Sequence, residues 1–104
     1  MTEPILGPSS PGSVVLDLGP GYGALVLHTP PHMDGEEIEI SPLGDAAPGR
    51  THSQVRQRRT GARTQYAAVY PQLAAGTYTV LTRDDAPVAT VVITGGQVTT
   101  AHWP

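Results

Sequence analysis

Cysteine, phenylalanine and lysine are all absent from this 104-residue sequence. Without cysteine the chain forms neither disulfides nor thiolate metal sites. Without phenylalanine the core must be built from Val, Leu, Ile and Ala, together with four tyrosines and one tryptophan. The N-terminal segment MTEPILGPSSPG lacks the basic start and apolar stretch of a signal peptide, and no later run approaches the length of a membrane span. We therefore expect a soluble, cytoplasmic protein without a membrane partner.

Glycine and proline are abundant by contrast, with twelve glycines and eleven prolines that divide the sequence into short pieces. Short β-branched runs between such breaks are typical of all-β proteins, and no segment shows a convincing helical period. The length allows one domain with one modest core. We predict a flexible arm over residues 1–12 and, over residues 13–104, a single all-β domain, an antiparallel β-sandwich of about seven or eight strands.

Alternation and turn residues place the strands. Residues 35–41, GEEIEIS, put Ile38 and Ile40 on one face and the glutamates on the other. The last two apolar runs are separated by Gly95-Gly96, which suits a two-residue hairpin turn with positive φ. Two further turns are predicted at residues 60–62 and 84–85. The predicted strands are residues 13–18, 22–29, 35–41, 51–59, 63–70, 76–83, 86–94 and 97–103, and a short helix over 51–59 is the alternative for that segment.

The charges are separated along the chain. The first 45 residues contain seven acidic residues and no lysine or arginine. All six basic residues are arginines and follow this acidic part, and only two further acids, Asp84 and Asp85, come after them. The formal net charge is −3, so the sequence is electrically polar along its length while being only weakly acidic as a whole.

Residues 14–27, VVLDLGPGYGALVL, resemble the cofactor loop of S-adenosylmethionine-dependent methyltransferases, with Asp17, Gly19, Gly21 and Gly23 at suitable spacing. Such a loop must open a helix, so that backbone N–H groups and the helix N-terminus approach the cofactor. Here the glycines are followed by ALVLHTPPH, a strand-like run that ends in two prolines. We interpret the segment as a Gly-Pro-Gly turn between two strands and predict no cofactor.

Histidines supply the one candidate metal site. His28, His52 and His102 lie on separate predicted strands, and a fold that brought them together would offer three nitrogen ligands. No paired-histidine motif on a helix supports the site, and Pro30-Pro31 separate His28 from His32. A small metal-binding protein is therefore an alternative hypothesis to the one reached below.

Residues 69–103 contain the run VYPQLAAGTYTV, with Tyr70, Leu73, Gly76, Tyr78 and Val80, and later a strand region with Val92, Gly96, Val98 and Thr99. This pattern resembles the carboxypeptidase-regulatory, Cna-B and transthyretin-like (prealbumin-like) sandwich domains, in which such a run crosses between sheets and the later strand closes the fold. The whole chain is also similar to a family of small actinobacterial proteins with the layout GALVLHTPPHMDGEEIEISPLG…RTHSQVRQRR…YAAVYPQLAAGTYTV.

The resemblance implies a fold and says little about function. Some proteins of the actinobacterial family carry phospholipase labels, which makes a hydrolase a third hypothesis. No residue pattern here supports it: no serine lies in a G-x-S-x-G elbow, and Ser53 and His52 would point to opposite faces of a strand. We predict no catalytic residues.

The arginine-rich segment is the candidate binding site, with Arg56, Arg58, Arg59 and Arg63. On a single strand over 51–59, His52, Gln54, Arg56 and Arg58 would share one face opposite Val55, and the guanidinium groups would form a ladder for carboxylate or phosphate oxygens. The alternative, which we favour, is that cross-strand pairs between the glutamates at 37–39 and the arginines at 56–58 use up these charges, because neighbouring strands usually pair.

Charge also limits the class of partner. The acidic first half, a sequence pI of about 5.7 and the absence of aromatic residues among the arginines argue against nucleic acid. The sequence therefore predicts a non-catalytic binding or protein-interaction module that meets an acidic protein partner or associates with itself.

Overall fold

The computed structural model describes residues 20–43 and 49–104. This part of the chain is all-β, with a 3-10 turn at Pro31–Met33. The predicted arm over 1–12 and the predicted strand over 13–18 lie outside the described residues. The strands are β1 (Tyr22–His28), β2 (Glu37–Pro42), β3 (Thr51–Gln54), β4 (Arg56–Thr60), β5 (Arg63–Ala74), β6 (Gly76–Leu81), β7 (Pro87–Ile93) and β8 (Val98–His102).

The strands form two four-stranded sheets. Sheet 1 has the order β4-β5-β1-β8, and sheet 2 has the order β3-β2-β6-β7. All neighbouring strands are antiparallel except β1 and β8, which run parallel at one edge of sheet 1. The prediction of an all-β, two-sheet architecture is confirmed, with this one parallel pair as an exception to the antiparallel pattern.

Apolar side chains from both sheets meet in one core. Leu25, Leu27 and Tyr70 come from sheet 1, and Ile38 and Ile40 come from sheet 2. The last two are the residues that alternation placed on the inner face. The Tyr70 hydroxyl donates a hydrogen bond of 2.6 Å to the Ile38 carbonyl oxygen across the two sheets. The other members of the core cluster are Met33, Val55, Ala68, Leu73, Tyr78, Val80, Val91 and Ile93.

The single strand predicted over 51–59 is wrong, because the chain changes sheets in its middle. Val55 separates β3, which pairs with β2 in sheet 2, from β4, which pairs with β5 in sheet 1. Its side chain is fully buried. Its backbone N–H donates to Glu36 O, and its carbonyl accepts from Gly35 N, both at 2.8 Å. A buried apolar residue in the middle of an alternating run gives the same sequence pattern whether the strand continues in one sheet or the chain crosses to the other sheet.

The hairpin predicted at Gly95-Gly96 is also wrong. Gln97 N donates to Thr94 O at 3.2 Å, and Gly96 has a φ of 77°, so the two glycines do form a tight turn. However, β7 belongs to sheet 2, whereas β8 crosses to sheet 1 and pairs with β1. The turns predicted at residues 60–62 and 84–85 do join antiparallel neighbours, β4 with β5 and β6 with β7.

The glycine-rich segment leads directly into a strand, as the sequence predicts. Residues 20–21 form a turn, Gly21 has a φ of 85°, and β1 begins at Tyr22. Gly23 is required by close packing: a Cβ atom there would lie 2.5 Å from Thr94 O and 2.9 Å from Gln97 O. These glycines therefore seat β1 against the turn that leads to β8. Within residues 20–43 and 49–104, no helix has the length and apolarity needed to span a bilayer.

Candidate functional site

Strand β4 presents its arginines on two faces. Arg56 pairs with Ala67 and Arg58 with Gln65 on β5, whereas Tyr66 and Ala68, the residues of opposite parity on β5, pack at the core. Since side chains alternate along a strand, Arg56 and Arg58 lie on the outer face of sheet 1.

The remaining two predicted binding residues lie nearer the β4–β5 turn. Arg59, opposite Thr64, projects from the face of β4 opposite to Arg56 and Arg58, and it is exposed where the hairpin extends past the core. Arg63 begins β5, is exposed, and has the parity of the outer face. The predicted site is therefore divided, with Arg59 separated from the other three arginines.

The favoured pairing of Glu37 and Glu39 with Arg56 and Arg58 is wrong. The two glutamates lie opposite Gln54 and His52 in sheet 2, because β2 pairs with β3 and not with β4. Glu37 Oε1 lies 3.4 Å from His52 Nε2. Glu39 Oε1 lies 3.8 Å from Arg50 Nη1. The crossing at Val55 removes Arg56 and Arg58 from the reach of the acidic strand.

Charge is thus separated between the two sheets. The four strands of sheet 1 contain Arg56, Arg58, Arg59 and Arg63 and no acidic residue. The four strands of sheet 2 contain Glu37 and Glu39 and neither lysine nor arginine. Within residues 20–43 and 49–104, every ion pair involves Arg50, His52 or Arg83, and none involves an arginine of sheet 1.

Arg58 is the most constrained of the sheet 1 arginines. Its Nε–H donates a hydrogen bond of 3.3 Å to the Ala67 carbonyl oxygen. Ala67 has no solvent exposure although it lies outside the core cluster. Partial burial, followed by the charge of Arg56, lowers the pKa of the Arg58 guanidinium, which nonetheless stays protonated.

Two of the three predicted metal-binding histidines are brought together. His28 and His102 lie opposite each other on β1 and β8, and their rings stack with centroids 5.1 Å apart and planes 24° apart. His52 lies in sheet 2 beside Glu37, so the predicted trio does not assemble. The described part of the chain holds no group of three or more His, Cys, Asp or Glu residues arranged to bind a metal ion.

The histidine pair lies in the same cross-sheet row as an arginine. Arg56, Ala67, His28 and His102 are successive partners across β4, β5, β1 and β8. Burial, followed by the charges of His102 and Arg58, lowers the pKa of His28. The sequence singled out these histidines but did not associate them with the arginines. The pairing joins opposite ends of the described chain, and no local pattern reveals it.

Comparisons of the chain with models of protein families, with curated proteins and with solved structures gave no match.

Proposed function

We propose that this chain is a non-catalytic protein-interaction module that binds an acidic protein through the outer face of sheet 1. The observation that carries the proposal is the absence of acidic residues from the strands of sheet 1, which leaves Arg56 and Arg58 without an ion-pair partner among the described residues. Guanidinium groups fixed on a strand provide forked donors for carboxylate oxygens. They also accelerate encounter with a surface of opposite charge.

The chemistry of this face favours a protein over a single-stranded nucleic acid. Nucleic-acid surfaces of that kind combine basic residues with exposed aromatic rings on which bases stack. On sheet 1, Tyr66 and Tyr70 have the inward parity and pack in or against the core, and the exposed Tyr22 lies at the opposite end of β1 from His28 and the arginines. The net charge of −3 also opposes a long polyanion.

A second copy of the chain is a less suitable partner than a different protein. Its acidic strand would present Glu37 and Glu39, but these already lie near His52 and Arg50 of their own chain. Docking on them would replace existing ion pairs, which reduces the gain. Size-exclusion chromatography at low salt separates this outcome from binding of another protein.

The proposed sandwich relationship is supported by where the chain crosses between sheets. The transthyretin-like and Cna-B-like resemblance implies a crossing within VYPQLAAGTYTV, and β5 of sheet 1 is followed at Gly76 by β6 of sheet 2. We propose this relationship for the fold only, and it adds no catalytic residue to the interaction surface.

The test compares two charge reversals on one strand. Arg56→Glu and Arg59→Glu change the net charge equally at exposed positions three residues apart, but on opposite faces of β4. Each variant and the wild type are immobilised, loaded with native lysate at low salt and eluted with a salt step, and the eluted proteins are quantified by mass spectrometry. We expect Arg56→Glu to lower capture of the acidic partner about tenfold and Arg59→Glu to leave it nearly unchanged. Equal capture by both variants would contradict the proposal.

A further inference from the structure

Four cationic or titratable groups converge on the outer face of sheet 1. The row Arg56, Ala67, His28, His102 crosses all four strands, and Arg58 lies two residues further along β4. The row includes Ala67, whose short side chain has no solvent exposure. The strands that form this face contain no carboxylate to neutralise the group.

Arg58 is held so that part of its guanidinium remains available. A guanidinium has five N–H donors, and the hydrogen bond to Ala67 O uses the one on Nε. Within residues 20–43 and 49–104, the two Nη groups form no hydrogen bond, so four donors remain at the end of an anchored side chain. An anchored fork loses less conformational entropy when it binds an oxyanion than a free arginine does.

The stacked histidines respond to the same unbalanced charge. Two neutral imidazole rings can stack as His28 and His102 do, but two protonated rings repel each other. The groups that face His28 are His102 from β8 and Arg56 and Arg58 from β4, while the outward residues of β5 at this level carry no titratable group. His32 follows in the 3-10 turn after β1. All of these groups are cationic when protonated.

We propose that Arg58, His28 and His102 form an oxyanion site that receives a carboxylate or phosphoryl group of the acidic partner, and that binding there becomes tighter as the pH falls. That the anion belongs to an acidic protein rests on the proposed function. Whether the site binds a carboxylate or a phosphoryl group is tested independently of that partner. An oxyanion bridging these side chains offsets their mutual repulsion, and it accepts N–H donors from Arg58 and from the protonated rings.

Thermodynamic linkage fixes the direction of the effect. In the free protein, burial and neighbouring cations lower the pKa of His28 below its usual value, so the ring is mostly neutral near pH 7. An anion that binds the protonated form more tightly must raise that pKa. By reciprocity, protonation must then raise the affinity for the anion by the same factor.

The experiment follows the imidazole C–H resonances by NMR between about pH 5 and about pH 8, the range in which histidine titrates. Sodium sulfate, which remains a dianion throughout, represents a phosphoryl group, and sodium acetate represents a carboxylate. Sodium chloride at matched ionic strength is the reference for screening. We expect sulfate, acetate or both to raise the pKa of His28 by about half a pH unit or more. The resonance of His52, in sheet 2, should behave as in chloride.

Variants assign the effect to the site. Arg58→Gln should abolish the anion-induced rise in the pKa of His28. Arg58→Lys should reduce it, because lysine lacks the anchored guanidinium with its paired Nη donors. Arg59→Gln, on the opposite face of β4, should leave it unchanged. The dispersion of the backbone amide spectrum verifies that each variant is folded. A larger response to sulfate supports a phosphoryl occupant, and a larger response to acetate supports a carboxylate.

Two results would overturn the site: no rise beyond that in chloride with either anion, or the same rise in Arg58→Gln as in the wild type. Failure of the proposed function looks different. In that case Arg56→Glu retains its captured proteins, whereas the NMR response of His28 to the anion persists and still depends on Arg58.

Discussion

Tyr70 joins the two sheets through its hydroxyl group as well as through its ring. It is 2% exposed, and its hydroxyl donates to the Ile38 carbonyl oxygen at 2.6 Å. Burial, followed by the charge of Glu39, raises the pKa of this hydroxyl, so it remains a donor over the whole physiological range. A buried tyrosine needs such a partner, because an unpaired hydroxyl in the core is costly.

Replacing Tyr70 with Phe should lower the free energy of unfolding by about 1 kcal/mol, because the ring is kept and one buried hydrogen bond is lost. Urea denaturation, followed by circular dichroism, measures the change. Tyr66→Phe is the matched control on the same face of β5: its hydroxyl accepts only a 3.5 Å contact from the exposed Gln57 side chain. A loss at Tyr66 as large as that at Tyr70 would show that the bridging hydrogen bond has no special effect.

At the scale of single residues, the alternation of apolar and polar residues predicted which face of a strand a side chain occupies. The sequence did not predict which charged residues lie opposite one another. The sequence correctly placed Ile38 and Ile40 inside, and it placed Arg56 and Arg58 on a common outward face. It paired those arginines with the wrong strand. Whether a charged side chain forms an ion pair with one of opposite charge depends on which strands are neighbours. The choice of neighbouring strands is determined by packing across the whole molecule.

Gly23, the second residue of β1, packs against the turn between β7 and β8. The residue is buried, and a Cβ atom added to it would have Thr94 O, the Ile93 Cγ2 atom and Gln97 O as its three nearest neighbours. Two of these atoms are backbone oxygens within a hydrogen-bonded turn, so they cannot rotate out of the way. The glycine is required by this close approach.

We expect Gly23→Ala to destabilise the protein more strongly than Gly61→Ala. At Gly61, φ is 63° and the space for a Cβ atom is open, so alanine there meets only the left-handed backbone penalty of about 1 kcal/mol. At Gly23 the backbone must move, which we expect to cost about 2 kcal/mol or more. Thermal unfolding of the two variants compares these costs. Similar melting temperatures would mean that the turn yields easily.

At the scale of elements, the sequence revealed the strands better than the sheets. Seven predicted runs bounded by glycine, proline and aspartate cover the eight described strands, because the run over 51–59 contains both β3 and β4. The turns at residues 60–62 and 84–85 connect neighbours as predicted. The errors fall at Val55 and at Gly95-Gly96, where the chain passes from one sheet to the other. The local requirements are the same for a turn within a sheet and a turn between sheets, so local pattern could not distinguish them.

At the scale of the whole molecule, the separation of charge along the sequence becomes a separation between layers. The acidic strand β2 lies in sheet 2, and the arginine-bearing strands β4 and β5 lie in sheet 1. The opposite charges therefore lie on opposite sides of the core. The strands of sheet 1 carry arginines and no acidic residue although the chain is acidic overall, and composition alone could not show this.

The parallel pair of β1 and β8 should form late in folding, because bringing the strands together closes a loop of about seventy residues. Ala101→Gly in β8 should then raise the unfolding rate about fivefold and hardly change the folding rate. Val80→Ala, in the local β6–β7 pair, should instead slow folding. Stopped-flow fluorescence of Trp103, the single tryptophan, reports on both because this residue adjoins β8 and packs against the core. Equal slowing of folding by both variants would contradict this order.

Late docking of β8 leaves a period during folding in which the chain is prone to aggregate. Until β8 arrives, one edge of β1 keeps its backbone N–H and C=O groups unpaired beside the apolar residues of the core. Such an edge is a template for strands of other molecules. We expect aggregation during refolding to depend on protein concentration mainly within this interval, and any partner or solution condition that speeds the docking of β8 to raise the yield of native protein.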